Sequence, residues 1–153
     1  FMSLKDQEEL PITDERMTRF MITLEQGVEL VWHAFEDMVG GEIYVKKIPS
    51  IKIVDMAKFI APKSKFKIIG IRPGEKLHEQ MISNEDSYYT YEYSDYFKIL
   101  PQINDWNKGK GRIKKGVKVV SGFNYSSDKN SEWMTKTDLQ SWIEVNKNFI
   151  GKI

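Results

Sequence analysis

Short β-branched and aromatic runs alternate in this chain with apolar stripes at helical spacing, and that alternation narrows the fold more than any other feature. Pro11-Ile12-Thr13-Asp14 reads as a short extended piece ending in a turn, and Met17-Thr18-Arg19-Phe20-Met21-Ile22 as a strand. Thr23 follows as a helix N-cap, and Gln26 three residues on completes a capping box. Leu24, Val28, Val31, Phe35 and Met38 then recur at steps of four or three, which sets them on one helix face. Gly40-Gly41 ends that helix, because glycine takes the left-handed cap conformation without strain.

The alternation continues. Glu42-Ile43-Tyr44-Val45 reads as a strand, broken at Pro49-Ser50. Ile53, Ala57 and Ile60 mark a shorter helix with Pro62 just beyond it, and Phe66 to Ile71 is the next strand. Arg72-Pro73-Gly74 is a turn, after which Leu77 and Met81 suit one face of a short helix. Five tyrosines fall between Tyr88 and Tyr96, and Phe97 to Pro101 closes that stretch as a strand. Residues 102–118 read as a long loop carrying a basic run, Lys108, Lys110, Arg112, Lys114, Lys115 and Lys118. Val119 to Tyr125 predicts one more strand, and Thr135 with Asp138 caps a terminal helix through Leu139, Trp142, Ile143 and Phe149. The expected class is α/β, as a small α+β-like domain. The 153 residues read as a single domain, long enough to bury roughly 68–70% of the unfolded surface.

Composition removes several functions. Lys+Arg 23 against Asp+Glu 22 gives a charge of +1, without the basic excess of a nucleic-acid binder. Cysteine is absent, so disulfides, iron–sulfur clusters and thiolate zinc sites are excluded. The two histidines, His33 and His78, are too few for a three-His zinc centre. No segment approaches the roughly 20 apolar residues of a membrane span, and the start lacks the apolar core of a signal peptide. These features predict a cytoplasmic protein with neither nucleic-acid nor membrane partner. A first residue of Phe reads as a truncation or an artificial boundary.

Candidate chemistry concentrates in Ile71-Arg72-Pro73-Gly74-Glu75-Lys76-Leu77-His78-Glu79. An arginine at a strand end can grip a diphosphate through parallel N–H bonds. Glu75 would repel a phosphate but accept two O–H bonds from a sugar diol. Arg72 and Glu75 together match a phosphate beside a ribose. The same residues equally make a surface turn closed by an Arg–Glu salt bridge. Arg19, between large apolar residues, needs a partner. A second phosphate contact would serve, as would Asp14 or solvent. His33 lies opposite the apolar stripe and is expected to face solvent. His78 sits beside the turn, within reach of a ligand or simply at the surface. The tyrosines serve to stack bases or, more ordinarily, to pack a sheet face; the basic run serves as an acidic-partner contact or a solvated loop. Tyr125 with Lys129 supplies a Y-x-x-x-K spacing in a polar loop. Neither G-x-G-x-x-G nor G-x-x-x-x-G-K occurs, so a nucleotide cofactor held in either standard way is not expected.

Taken in order, Pro11-Ile12-Thr13-Asp14, Met17-Thr18-Arg19-Phe20, Ile48-Pro49-Ser50 and Ile69 to Glu79 closely resemble the inverting UDP-N-acetylglucosamine 4,6-dehydratases, polysaccharide-biosynthesis members of the extended short-chain dehydrogenase/reductases. Tyr125-Ser126-Ser127-Asp128 with Asn130 is similar to the same family's C-terminal segment. The likeness spans about Pro11 to Trp133 and matches the C-terminal, substrate-binding portion of such enzymes. Their Rossmann domain, with its glycine fingerprint, NADP and the catalytic Tyr and Lys, has no counterpart here, so no catalytic residue carries over. The resemblance implies that Arg19 and Arg72 bind the UDP diphosphate, that Glu75 takes the ribose hydroxyls and that Thr18 helps line the pocket. It implies a parent lyase in which NADP oxidises the sugar at C4, water leaves across C5 and C6, and hydride returns to C6 with inversion at C5. The product would be a 4-keto-6-deoxy hexosamine nucleotide for surface polysaccharide or flagellin sugars. This chain alone is expected to be inactive, and to self-associate or expose an apolar patch where the Rossmann domain would lie. A sugar-nucleotide epimerase portion and a stand-alone binding or assembly module are the alternatives.

Overall fold

The strands of the described residues pair in four small sheets. The computed structural model describes residues 1–102 and 110–146. A 3-10 turn at Met2–Leu4 leads into β1 (Glu9–Ile12), β2 (Thr18–Phe20), α1 (Leu24–Asp37), β3 (Ile43–Lys46), β4 (Ser50–Lys52), α2 (Ile53–Ile60) and β5 (Lys65–Ile68). There follow β6 (Gln80–Ile82), a 3-10 turn at Asp86–Tyr89, β7 (Thr90–Glu92), β8 (Tyr96–Ile99), α3 (Lys110–Ile113), β9 (Val117–Lys118), β10 (Tyr125–Ser126) and α4 (Lys136–Asn146). The expected α/β class holds. None of the described helices is long and apolar enough to cross a membrane.

The chain divides into two compact units. The first takes Phe1–Met21, Pro49–Glu79 and Ser127–Ile153; the second takes Ile22–Ile48 and Gln80–Ser126. In the first, β1 runs parallel to β5 with Leu10 opposite Phe66 and Ile12 opposite Ile68. Parallel partners need a long crossover, and α2 lies on that connection. Leu10, Ile12, Ala57 and Ala61 form a core that Ile53, Val54 and Phe66 extend. Strand β2 pairs antiparallel with β4, Arg19 opposite Ile51. The two points where the chain leaves and re-enters this unit are both closed by hydrogen bonds. The Met21 amide donates to the Pro49 carbonyl at 2.9 Å, and the Ser127 amide to the Glu79 carbonyl at 2.8 Å.

In the second unit, β3, β8, β7 and β9 form an antiparallel sheet in that order. Three tyrosines pack together on it, whereas Tyr88 is exposed: Tyr93 and Tyr96 stack at 4.5 Å with their planes 7° apart, and Tyr44 lies 5.8 Å from Tyr96. Helix α1 has the capping box read from sequence, with Gln26 amide to Thr23 Oγ1 at 3.2 Å and Thr23 amide to Gln26 Oε1 at 3.0 Å. Its orientation overturns one expectation. His33 does not face solvent: its ring lies 4.6 Å from Tyr96 and 5.8 Å from Tyr44, with Nε2 buried. The reason is Asp37, one turn further along, which accepts from Tyr44 Oη at 2.7 Å and pairs with Lys98 and Lys114. This ionic anchor turns the polar side of α1 toward the sheet. Leu24, Val28, Val31, Trp32 and Phe35 are left exposed.

Three further readings are corrected. Leu77 and Met81 do not share a helix, because Gln80–Ile82 is strand β6, paired with β10. Only Tyr125 of the expected Val119–Tyr125 strand is extended into a ladder, within β10. The basic run is no uniform loop, since it includes α3 and β9. Its Lys108 lies outside the described residues, as does Phe149 of the terminal helix. Helix α4 carries the predicted cap, with Asp138 amide to Thr135 Oγ1 at 3.1 Å and Thr135 amide to Asp138 Oδ2 at 2.8 Å.

Candidate functional site

The first unit sets two of the arginine-bearing stretches side by side. Pairing with β4 holds Thr18 and Arg19 extended on β2. The turn at Arg72 closes by the Glu75 amide donating to the Arg72 carbonyl at 3.0 Å. Gly74, at φ 81°, supplies a left-handed conformation that a side chain would strain. The chain then returns past β2, where the Thr18 amide donates to the Leu77 carbonyl at 3.1 Å.

Arg19 is aimed by backbone and flanked by carboxylates. Its Nη1 donates to the carbonyls of Thr18 at 2.7 Å and Leu77 at 3.2 Å. Its Nε lies 3.4 Å from Glu79 Oε1, and its Nη2 lies 3.9 Å from Glu75 Oε1. Charge-assisted bonds of this type close to about 2.7–2.9 Å when fully made, so both ion pairs are slack. The other Glu75 oxygen, Oε2, accepts the Arg72 amide at 3.3 Å. One carboxylate therefore joins both arginine motifs.

Arg72 itself is exposed, and its guanidinium makes no hydrogen bond or ion pair among the described residues. It does not stand at a strand end. Strand β5 stops at Ile68, because its partner β1 ends opposite at Ile12. Asp14 is not the partner of Arg19 either. Its carboxylate takes the Arg16 side chain at 2.8 and 3.0 Å and the Arg16 amide at 2.8 Å. Those side-chain and then backbone bonds lower its pKa to about 2.

Thr18 turns its hydroxyl into the protein. It is buried, with Oγ1 2.8 Å from His78 Nδ1 and 2.7 Å from Ser127 Oγ. Ser127 Oγ accepts the Glu79 amide at 2.9 Å. Sequence reasoning did not place Glu79 or Ser127 here. The available signals were a carboxylate close after the R-P-G-E turn and a serine within the Tyr125–Asp128 stretch.

A second charged cluster, in the second unit, is closed. Lys98 Nζ pairs with Asp37, donates to the Arg112 carbonyl at 2.9 Å and lies over the Tyr44 and Tyr93 rings at 5.3 and 5.2 Å. Arg112 Nη1 reaches Glu42 at 2.7 Å and the Gly40 carbonyl at 2.8 Å. Burial pushes Asp37 up, but hydrogen bonds from Lys114, Lys98 and Tyr44 outweigh it and hold the carboxyl well below its ordinary range. Burial raises the Tyr93 and Tyr96 phenols to about 12. The Tyr125–Lys129 spacing carries no chemistry, because Tyr125 Oη is locked to the Ile48 amide at 2.9 Å and the Ile48 carbonyl at 3.0 Å.

Among the described residues no acidic or histidine cluster could hold a metal. Strand β4 runs straight into α2 at Lys52–Ile53, without a glycine turn to bring phosphate against the helix.

Residues 2–101 match the family model described as polysaccharide biosynthesis protein. The inverting UDP-N-acetylglucosamine 4,6-dehydratase of Campylobacter jejuni is 50% identical over 147 residues, covering 93% of this chain and 44% of that protein. A UDP-glucose 4-epimerase of Rickettsia canadensis is 36% identical over 128 residues, covering 81% and 38%. The X-ray structure of Pen from Bacillus thuringiensis superimposes with a TM-score of 0.73 at 27% identity, over 95% of this chain and 42% of that one. The chain thus spans under half the length of the curated relatives it matches. The matched region contains Arg19, Arg72, Glu75 and Glu79; Ser127 lies beyond it.

Proposed function

Because this chain belongs to the polysaccharide biosynthesis protein family, we propose that it is the sugar-nucleotide-holding part of a UDP-N-acetylglucosamine 4,6-dehydratase of the inverting type. The observation that carries this reading is Glu75, shared between the Arg19 guanidinium and the Arg72 turn. A diphosphate entering beside Arg19 replaces slack ion pairs with close, charge-assisted ones. Glu75, displaced from Arg19, is then free to accept the ribose hydroxyls. Arg72, on the same turn and without an ion pair among the described residues, closes on the second phosphate. The net reaction in this reading removes one water and leaves a 4-keto-6-deoxy sugar. The residues here bind and orient the nucleotide, and such positioning supplies several kcal/mol of barrier reduction. Redox chemistry falls to residues outside these 153, so the chain by itself binds without turnover.

The test is UDP binding by calorimetry to this chain and to Arg72→Ala. Loss of a charge-assisted partner, about 1.5–3 kcal/mol, weakens binding roughly tenfold to a hundredfold. Equal binding by the two proteins overturns the assignment of Arg72. The Rickettsia similarity supports a second reading, an epimerase portion with the same nucleotide contacts. In a longer protein containing this chain, a product lighter by one water identifies the dehydratase, and an isomer of unchanged mass the epimerase. The exposed stripe on α1 supports self-association of the chain. Sedimentation at rising concentration tests this, with Phe35→Glu expected to keep the chain monomeric.

A further inference from the structure

The bonds around Thr18 fix more than packing, because each buried hydroxyl has one proton to give. Ser127 Oγ is fully buried; it accepts the Glu79 amide at 2.9 Å, and its other partner is Thr18 Oγ1 at 2.7 Å. A buried hydroxyl proton left without an acceptor is costly, so Ser127 donates to Thr18. Thr18 Oγ1 then holds its own proton for its remaining partner, His78 Nδ1 at 2.8 Å. The direction of the chain is set: Glu79 amide to Ser127, Ser127 to Thr18, Thr18 to His78. The reverse order would strand the Ser127 proton. Nδ1 is therefore the acceptor, and neutral His78 carries its proton on Nε2.

His78 is the residue between two Arg19 partners. The Leu77 carbonyl receives Arg19 Nη1 at 3.2 Å, and the Glu79 carboxylate lies 3.4 Å from Arg19 Nε. His78 is half-exposed, and Nε2 is neither enclosed nor bonded among the described residues. We propose that His78 is a further binding residue of this site, held by the Ser127–Thr18 relay as the Nε2–H tautomer so that it donates to an oxygen of the anion gripped by Arg19. Thr18 and Ser127 are positioning residues in this scheme. The proposal rests on the diphosphate reading above and adds an imidazole N–H donor to its two cations.

Two measurements test it separately. Nitrogen-15 NMR of the histidine rings of this chain, with His33 assigned by substitution, reports the tautomer directly. We expect an unprotonated Nδ1 and a protonated Nε2 at His78, with Thr18→Val releasing a tautomer mixture; a protonated Nδ1 in the unsubstituted chain overturns the relay. UDP titration then reads the ligand. The His78 Nε2 signal should shift on binding. His78→Phe should bind about tenfold more weakly, while His78→Gln, which keeps an N–H at the reach of Nε2, should stay within about twofold of the parent affinity. Unchanged UDP affinity in His78→Phe, with Arg72→Ala weakened, overturns the His78 assignment and leaves the diphosphate reading standing. No response of the unsubstituted chain to UDP overturns the diphosphate reading and the His78 role with it, while the NMR result still decides the relay. Should His78→Phe fail to fold, the Nε2 shift in the unsubstituted chain decides in its place.

Discussion

Both charged clusters put a basic strand residue among carboxylates and carbonyls, yet they are built for opposite ends. Lys98 on β8 has a side chain 1% exposed, and its partner Asp37 is 8% exposed. Asp37 is saturated by Lys98, Lys114 and Tyr44. Arg19 on β2 is 23% exposed, and it faces Glu75 and Glu79 at 28% and 43% across pairs too long to be strong. Taking charge out of water is expensive, so a buried pair persists only when every lone pair and proton is matched. A half-exposed pair contributes little to stability and is screened by solvent. What it offers is exchange, because a ligand with better geometry can replace either carboxylate. Saturation marks the cluster that holds the sheet, and slack pairing marks the one that can trade partners.

The largest test of this contrast is Asp37→Ala. Leaving Lys98 buried without its counter-charge should destabilise the chain by about 3–5 kcal/mol in denaturant unfolding. A loss below about 1 kcal/mol would erase the distinction between the clusters. Pairing Asp37→Leu with Lys98→Met should recover at least half of the deficit, since an apolar replacement of both charges removes the unmatched one. Acid should act through the same group. The folded carboxyl of Asp37 titrates below its unfolded value. Its contribution is therefore complete above the ordinary carboxylate range and fades as pH falls from about 5 toward 2. The denaturation midpoint should drop across that window, and less steeply in Asp37→Asn.

Smaller effects sharpen the other side. Thr23→Ala removes the α1 cap and should cost about 1 kcal/mol, with UDP affinity unchanged. Glu79→Gln removes a negative charge 3.4 Å from Arg19. It should strengthen UDP binding about two- to fivefold while moving stability by less than about 0.5 kcal/mol. Weaker binding in that variant would show that Glu79 aids the ligand rather than competing with it.

Local signals were legible in the sequence and long-range ones were not. Both capping arrangements, at Thr23 and Thr135, were readable because donor and acceptor lie three residues apart. Strand β4 was hidden behind Pro49-Ser50, where the sequence marks a break. It is extended because Ile51 meets Arg19. The Leu77–Met81 spacing promised a helix until pairing with the distant β10 took the backbone. The stripe on α1 was correctly grouped on one face, but periodicity cannot say which face turns inward when Asp37 has a buried cation to meet. At the site, Arg19, Arg72 and Glu75 were picked out by type and by resemblance. The Glu79 contact and the Ser127–Thr18–His78 chain depend on distant segments meeting, which no local pattern encodes.

The two closures described for the first unit have an architectural consequence. Met21 is bonded to Pro49, and Glu79 to Ser127 on both its amide and its carbonyl. Each departure into the second unit thus begins and ends at neighbouring residues, as a guest sequence does when spliced into a host loop. Replacing either excursion by a tight turn removes none of the partners of Arg19, so the Arg19 arrangement should be portable on a much shorter polypeptide.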